Sequence, residues 1–123
     1  MKTKQDTIKA CNAIREVVDA DVSDVDITSI TGKLHKLTCL QGLSAEANAS
    51  AKKILSQKEL EVLMGMDKTL PPSIQSKTLN AECWEEIALL EYADRLNSAI
   101  VHSIDSYRSL ISLYKTELEK GLI

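Results

Sequence analysis

The sequence has 123 residues and a formal net charge of −3, and 44% of its residues are hydrophobic. These values are typical of one folded domain and exclude a disordered chain. Basic residues are scattered, with no run longer than Lys52-Lys53, and aromatic residues make up only 3% of the chain. This pattern argues against nucleic acid as a partner, because such binders usually carry a basic stripe or stacking aromatics.

The three cysteines, Cys11, Cys39 and Cys83, are odd in number and far apart, so they do not suggest a disulfide framework. We expect all three to be reduced and buried as small hydrophobic side chains. The N-terminal residues lack the apolar stretch of a signal peptide, and no apolar run approaches the roughly 18 residues that span a bilayer. We therefore expect an intracellular, cytoplasmic protein in a reducing compartment, with no membrane association.

The first predicted helix covers about residues 4–18, where apolar residues recur at helical spacing. Four Asp residues within 19–26 disfavour a helix interior, and Asp26 is the expected N-cap of the second helix. That helix is predicted over about 27–55. Its apolar stripe consists of Ile27, Ile30, Leu34, Leu37, Leu40, Leu43, Ala47, Ala51 and Ile54.

The segment Ser56-Gln57-Lys58-Glu59 has the pattern of a capping box, in which a serine caps a helix and a glutamate follows three residues later. It predicts a break or bend at Ser56 and a further helix over about 57–66. Residues 67–80 are predicted to form a loop, because Pro71-Pro72 prevents the helix from continuing.

The last helix is predicted over about 81–120, with Asn80 as its N-cap and Gly121 as its stop signal. A staple contact between Leu79 and Trp84 is expected at its start. No Gly or Pro interrupts it, and its apolar residues follow a heptad-like spacing. This stripe consists of Ala93, Leu96, Ile100, Ile104, Tyr107, Ile111, Tyr114 and Leu118.

Together these elements predict an all-α fold: one helical domain over 1–123, arranged as an elongated antiparallel hairpin or bundle of three to four helices. A helix of this length extends for about 60 Å, and the short first helix covers only part of the hairpin. An apolar stripe without cover usually meets a partner. We therefore expect a homo-oligomer or another protein partner, with an interface formed by Ile104, Tyr107, Ile111 and Tyr114. Asn97 and Arg108, at the border of the stripe, are the candidate specificity residues.

The segment Leu34-His35-Lys36-Leu37-Thr38-Cys39 resembles the core of histidine phosphotransfer domains, which are acidic helical bundles of about this length. In that family a Leu follows the His by two residues, as Leu37 does here. Thr38 and Cys39 depart from the Lys and Gly that usually come next. The resemblance implies that His35 would accept a phosphoryl group.

The spacing of His35 and Cys39 also allows metal ligation, but a structural site needs about four ligands and no second pair is present. The sequence therefore predicts no metal and no cofactor, and no motif indicates an enzyme. The leading interpretation is a non-enzymatic helical interaction or assembly protein. The alternatives are a phosphotransfer module centred on His35 and a small-ligand binder between the helices of an oligomer.

Overall fold

The computed structural model describes residues 3–20 and 26–121. The prediction of an all-α fold with a long C-terminal helix is confirmed, and no strand occurs in these two ranges. The four helices are α1 (Lys4–Asp19), α2 (Ile27–Met64), α3 (Pro72–Glu82) and α4 (Trp84–Glu119). In the same part of the chain, no helix combines the length and apolarity needed to cross a membrane.

Side-chain hydrogen bonds define the relative directions of α2 and α4, which form the most extensive helix pair. The Ser44 hydroxyl donates to Asn97 Oδ1 over 3.1 Å, and the Asn48 side-chain amide donates to the Asp94 carboxylate. Residue numbers rise along α2 as they fall along α4, so the two helices are antiparallel, as predicted.

Helix α1 lies against both long helices and runs parallel to α4. Lys4 Nζ donates to Glu85 over 2.6 Å, and the Tyr92 hydroxyl donates to Asn12 over 3.1 Å, so residue numbers rise together along the two helices. Because α1 is short, it accompanies only the first half of α4.

The core lies where α1, α2 and α4 meet. Small residues on α2 and α4 let the two backbones approach closely, and branched side chains from all three helices fill the remaining space. The side chains that form this core cluster are Cys11, Ile14, Leu37, Ala47, Ala51, Leu89, Ala93, Leu96, Ile100 and Ile104. The Thr7 hydroxyl, which is fully buried, is hydrogen-bonded to that of Ser50 at 2.8 Å, so it is satisfied inside the bundle.

Three local interactions define where helices begin and end. Asp26 caps α2 as predicted, accepting from the Thr28 backbone N–H at 3.0 Å and from the Ser29 hydroxyl at 2.8 Å. Gly121 follows α4 with a φ of +71°, the left-handed conformation that glycine adopts readily after a helix. Lys33 of α2 is buried and donates from Nζ to backbone carbonyls at the end of α1, including that of Ala20 at 2.7 Å.

The predicted break at Ser56 is wrong, because α2 continues as one helix through this residue to Met64. The reason lies in tertiary packing. Cys83, just before α4, is fully buried beside Lys58 and Glu59, so the start of α4 lies against this part of α2. Extending a helix that already exists costs little compared with nucleating a new one. The residues of the capping-box pattern therefore lie inside a continuous helix and do not begin a new one.

The predicted boundaries between 67 and 81 are also wrong. Residues 72–82 form α3 rather than a loop, with Pro72 at its first position, where a missing N–H costs nothing. Asn80 lies inside α3 and does not cap α4, which begins at Trp84 after Cys83. Trp84 is 63% exposed, far more than a tightly packed staple residue would be.

Candidate functional site

The apolar stripe of α4 changes its environment halfway along the helix. Ile100 and Ile104 are 0% and 3% exposed and belong to the core, and Tyr107 is half-buried against it. The stripe then continues through Ile111 and Tyr114, which are half-buried, to Leu118, which is 57% exposed. We call Ile111, Tyr114 and Leu118 the distal stripe.

The lengths of the neighbouring helices explain this change. Helix α1 ends at Asp19, and its contacts with α4 place that end beside about residue 100 of α4. The register between α2 and α4 places Ile27, the first residue of α2, opposite about Tyr114. The distal stripe therefore has one neighbouring helix at its start and extends beyond the end of that helix at Leu118.

The side chains beside the distal stripe are also apolar. Leu110 is half-buried and Leu113 is 54% exposed. Both lie toward the side of α4 that α1 covers in the first half of the helix. The face of α4 that points away from the core carries Ser109, Ser112 and Thr116. The end of α4 thus presents an apolar face, with the half-buried Glu117 in its last turn, and a polar face.

The predicted interface residues do not all share one environment. Ile104 is inside the core, where a second protein has no access to it. Asn97 is half-buried and accepts the hydrogen bond from Ser44, so it joins α2 to α4 within the chain. Arg108 is exposed near the distal stripe. The accessible part of the predicted interface is therefore Tyr107, Ile111 and Tyr114, with Arg108 at its edge.

His35 lies on the outer face of α2 and is exposed, as is Cys39 one turn later. Cys39 Sγ is 3.8 Å from His35 Nε2. Thr38 donates its hydroxyl proton to the Leu34 carbonyl oxygen over 2.8 Å. Within the described ranges, no cluster of three or more His, Cys, Asp or Glu residues could hold a metal ion. His35 and Cys39 therefore form an accessible pair of potential ligands rather than a complete site.

The three cysteines are free, and they fall into two classes. Cys11 and Cys83 are fully buried, as predicted, and burial raises the pKa of both thiols. The nearby carboxylate of Glu86 raises the pKa of Cys83 further. The prediction of burial is wrong for Cys39, which is exposed. Cys39 therefore carries the accessible thiol of the chain.

A second group of exposed apolar side chains was not predicted. Leu60, Leu63 and Met64 at the end of α2 are 59%, 42% and 77% exposed, and Ile74 of α3 is 43% exposed. The spacing of the first three residues, which places them on one helical face, was a usable signal. The prediction of a helix break at Ser56 and a loop after Met66 obscured it.

Charged residues at the start of α4 hold α1 in place. Lys4 lies 2.6 Å from Glu85 and 3.6 Å from the largely buried Glu86. The hydrogen bond with Glu85 raises the pKa of Lys4, and the same bond lowers the pKa of Glu85. Each residue therefore favours the charged form of the other. This ion pair connects α1 and α4 at one end of the bundle.

A comparison with protein-family models finds no match for this chain. It has no significant match to a curated protein or to a solved structure.

Proposed function

We propose that this chain is a non-enzymatic helical interaction protein that assembles with itself through the distal stripe and Tyr107. One observation carries the proposal: the apolar repeat of α4 continues for several turns after the core ends, and Leu118 there is 57% exposed. Contiguous exposed apolar surface on a protein commonly marks a binding site.

A second copy is the partner that this geometry favours. The same apolar face occurs on every copy, so a two-fold axis beside α4 would bring two distal stripes together and cover both. Full burial of a Leu or Ile side chain contributes roughly 1.5–3 kcal/mol. Arg108 would lie at the polar rim of this contact, where it would influence orientation more than affinity.

A charge at Leu118 tests the proposal without disturbing the folded chain, because this side chain is already exposed. We expect the wild type to show a concentration-dependent oligomer in analytical ultracentrifugation, and Leu118→Asp and Ile111→Asp to shift it to the monomer. Ser112→Asp is the matched control, since Ser112 is exposed on the polar face of the same helix. Circular dichroism would verify that each variant remains helical.

Two outcomes would contradict self-assembly through this surface. One is a wild-type monomer at tens of micromolar, which would leave a heterologous partner as the remaining occupant. The other is an oligomer whose dissociation constant is unchanged by both Leu118→Asp and Ile111→Asp.

Phosphotransfer at His35 is the second candidate, and the exposure of His35 favours it, because a phosphoryl donor could reach the ring. The test is transfer of a labelled phosphoryl group from a phosphorylated response regulator. Label on the wild type that is absent from His35→Ala would support this function in place of the first.

The third interpretation, a small ligand held between the helices of an oligomer, depends on the assembly and stays a prediction.

A further inference from the structure

His35 and Cys39 are arranged as a metal chelate on the surface of α2. The ring nitrogen Nε2 and the thiol sulfur lie 3.8 Å apart, and both side chains are exposed. Zinc binds histidine nitrogen at 2.0–2.1 Å and cysteine sulfur at about 2.3 Å, and tetrahedral geometry then separates the two ligand atoms by roughly 3.6 Å. The observed separation is thus close to the distance that zinc requires. One turn of helix holds both residues, so little reorganisation is needed.

One chain supplies only half of such a site. A tetrahedral structural zinc ion takes four ligands, and no group of three or more candidate ligands occurs among the described residues. The described part of the chain therefore does not supply the missing ligands. A second copy offers the same nitrogen and sulfur on the same exposed face, and a two-fold axis through the ion would complete a His₂Cys₂ set.

The charges balance in this arrangement. Each Cys39 thiol releases one proton to solvent as its sulfur–zinc bond forms, while each His35 binds as the neutral imidazole. Two thiolates then neutralise the charge of Zn²⁺. No oxidant or reductant takes part, and two protons are released for each ion bound.

Small residues follow the pair along the outer face of α2. Gly42, one turn beyond Cys39 on the outer face, has no atom within 4 Å of the position that a Cβ would occupy. Ala45 and Ala49 follow as exposed small residues, and Glu46, two turns after Cys39, is an exposed charged residue that a second copy would have to accommodate.

We propose that Zn²⁺ bridges two copies of this chain, with His35 and Cys39 of each copy as its four ligands. This inference does not depend on the proposed function, because the outer face of α2 is separate from the distal stripe of α4. The Leu118→Asp variant separates the two assemblies, since it alters the distal stripe and leaves α2 unchanged.

The test uses the full chain carrying Leu118→Asp, kept reduced so that Cys39 cannot form a disulfide. Adding Zn²⁺ should double its mass in analytical ultracentrifugation, with one ion bound per two chains, and a chelator should reverse the change. Co²⁺ in place of Zn²⁺ should give the visible absorption of a tetrahedral site and a thiolate-to-metal charge-transfer band. The same measurements on the otherwise unmodified chain would show whether both assemblies occur together.

Single substitutions assign the ligands. His35→Ala and Cys39→Ala should each abolish the metal-dependent doubling and the cobalt spectrum. His102→Ala is the control, because His102 is the second of the two histidines and is also exposed. Binding of one ion per chain without a change in mass would overturn the bridged arrangement. No binding, or doubling that survives Cys39→Ala, would overturn the site itself.

Discussion

The two halves of α4 carry the same apolar repeat in different surroundings. In the first half, Ile100 is fully buried between α1 and α2. In the second half, Leu118 occupies an equivalent position of the repeat and is 57% exposed. The difference lies in what surrounds the helix, because α1 ends at Asp19 and α2 begins only at Ile27.

This contrast shows what an apolar repeat specifies. The spacing of apolar residues determines which face of a helix avoids water, but it contains no information on which surface covers that face. In the first half the chain itself provides the cover. In the second half the same preference remains unsatisfied, and our proposal of assembly at the end of α4 rests on this difference.

The largest expected effect is a loss of stability when a core side chain in the first half of α4 is truncated. Ile100→Ala removes a fully buried side chain and should lower the free energy of unfolding by about 2–5 kcal/mol. Leu118→Ala should change it by no more than about 0.5 kcal/mol in the monomer. Denaturant titration at low protein concentration measures both. Equal losses would show that the end of α4 is packed as firmly as its start.

The sequence predicted the fold class and the apolar stripe of α4 because both depend on strong local signals. The cap at Asp26, the stop at Gly121 and the stripe to Leu118 are of this kind. The continuity of α2 through Ser56 could not be predicted, since it depends on packing between α2 and the start of α4, far apart in sequence. The intrachain role of Asn97 likewise requires knowing that Ser44 lies opposite.

The pair formed by His35 and Cys39 was predicted only in part, because its exposure depends on tertiary packing. Spacing alone placed His35 and Cys39 on one face of a helix. Whether they are exposed depends on which side of α2 packs against the other helices. The spacing of residues within α2 does not specify that side. The expected burial of Cys39 followed the usual behaviour of free cysteines, and tertiary structure overrides it here.

The second prediction concerns the end of α1, which marks the boundary between the two halves. Lys33 is buried and donates to carbonyls there, including that of Ala20 at 2.7 Å. Lys33→Ala would remove this donor, and we expect a loss of about 1–3 kcal/mol. Lys36→Ala is the control, because Lys36 is exposed on the same helix. Hydrogen exchange should also become faster in the last turn of α1. Equal stability of the two variants would contradict a capping role for Lys33.

A smaller effect is expected at Asp26, which begins the part of α2 that faces the distal stripe. Hydrogen bonds from the Ser29 hydroxyl and the Thr28 N–H lower its pKa below the ordinary value of 3.8. A lowered pKa stabilises the folded state above pH 3.8, and this contribution is lost as the pH falls through the folded-state pKa. Asp26→Asn retains a capping side chain but does not titrate. The stability of the wild type relative to Asp26→Asn should therefore fall as the pH is lowered from 7 to below the pKa. A difference that does not vary with pH would show that the carboxylate charge contributes nothing.

The smallest effect is expected at Ser56, where sequence and structure disagree. A serine that caps a helix stabilises it by about 1 kcal/mol relative to alanine, as we expect for Thr3, whose side chain accepts from the Asp6 N–H at 3.1 Å. Ser56 lies exposed inside the continuous α2, where alanine is the better helix former. Ser56→Ala should therefore raise the free energy of unfolding by a few tenths of a kcal/mol, whereas Thr3→Ala should lower it. Denaturant titration of the two variants compares a capping position with an interior one. A loss at Ser56 as large as that at Thr3 would indicate that α2 breaks there in solution, and that the start of α4 does not hold it continuous.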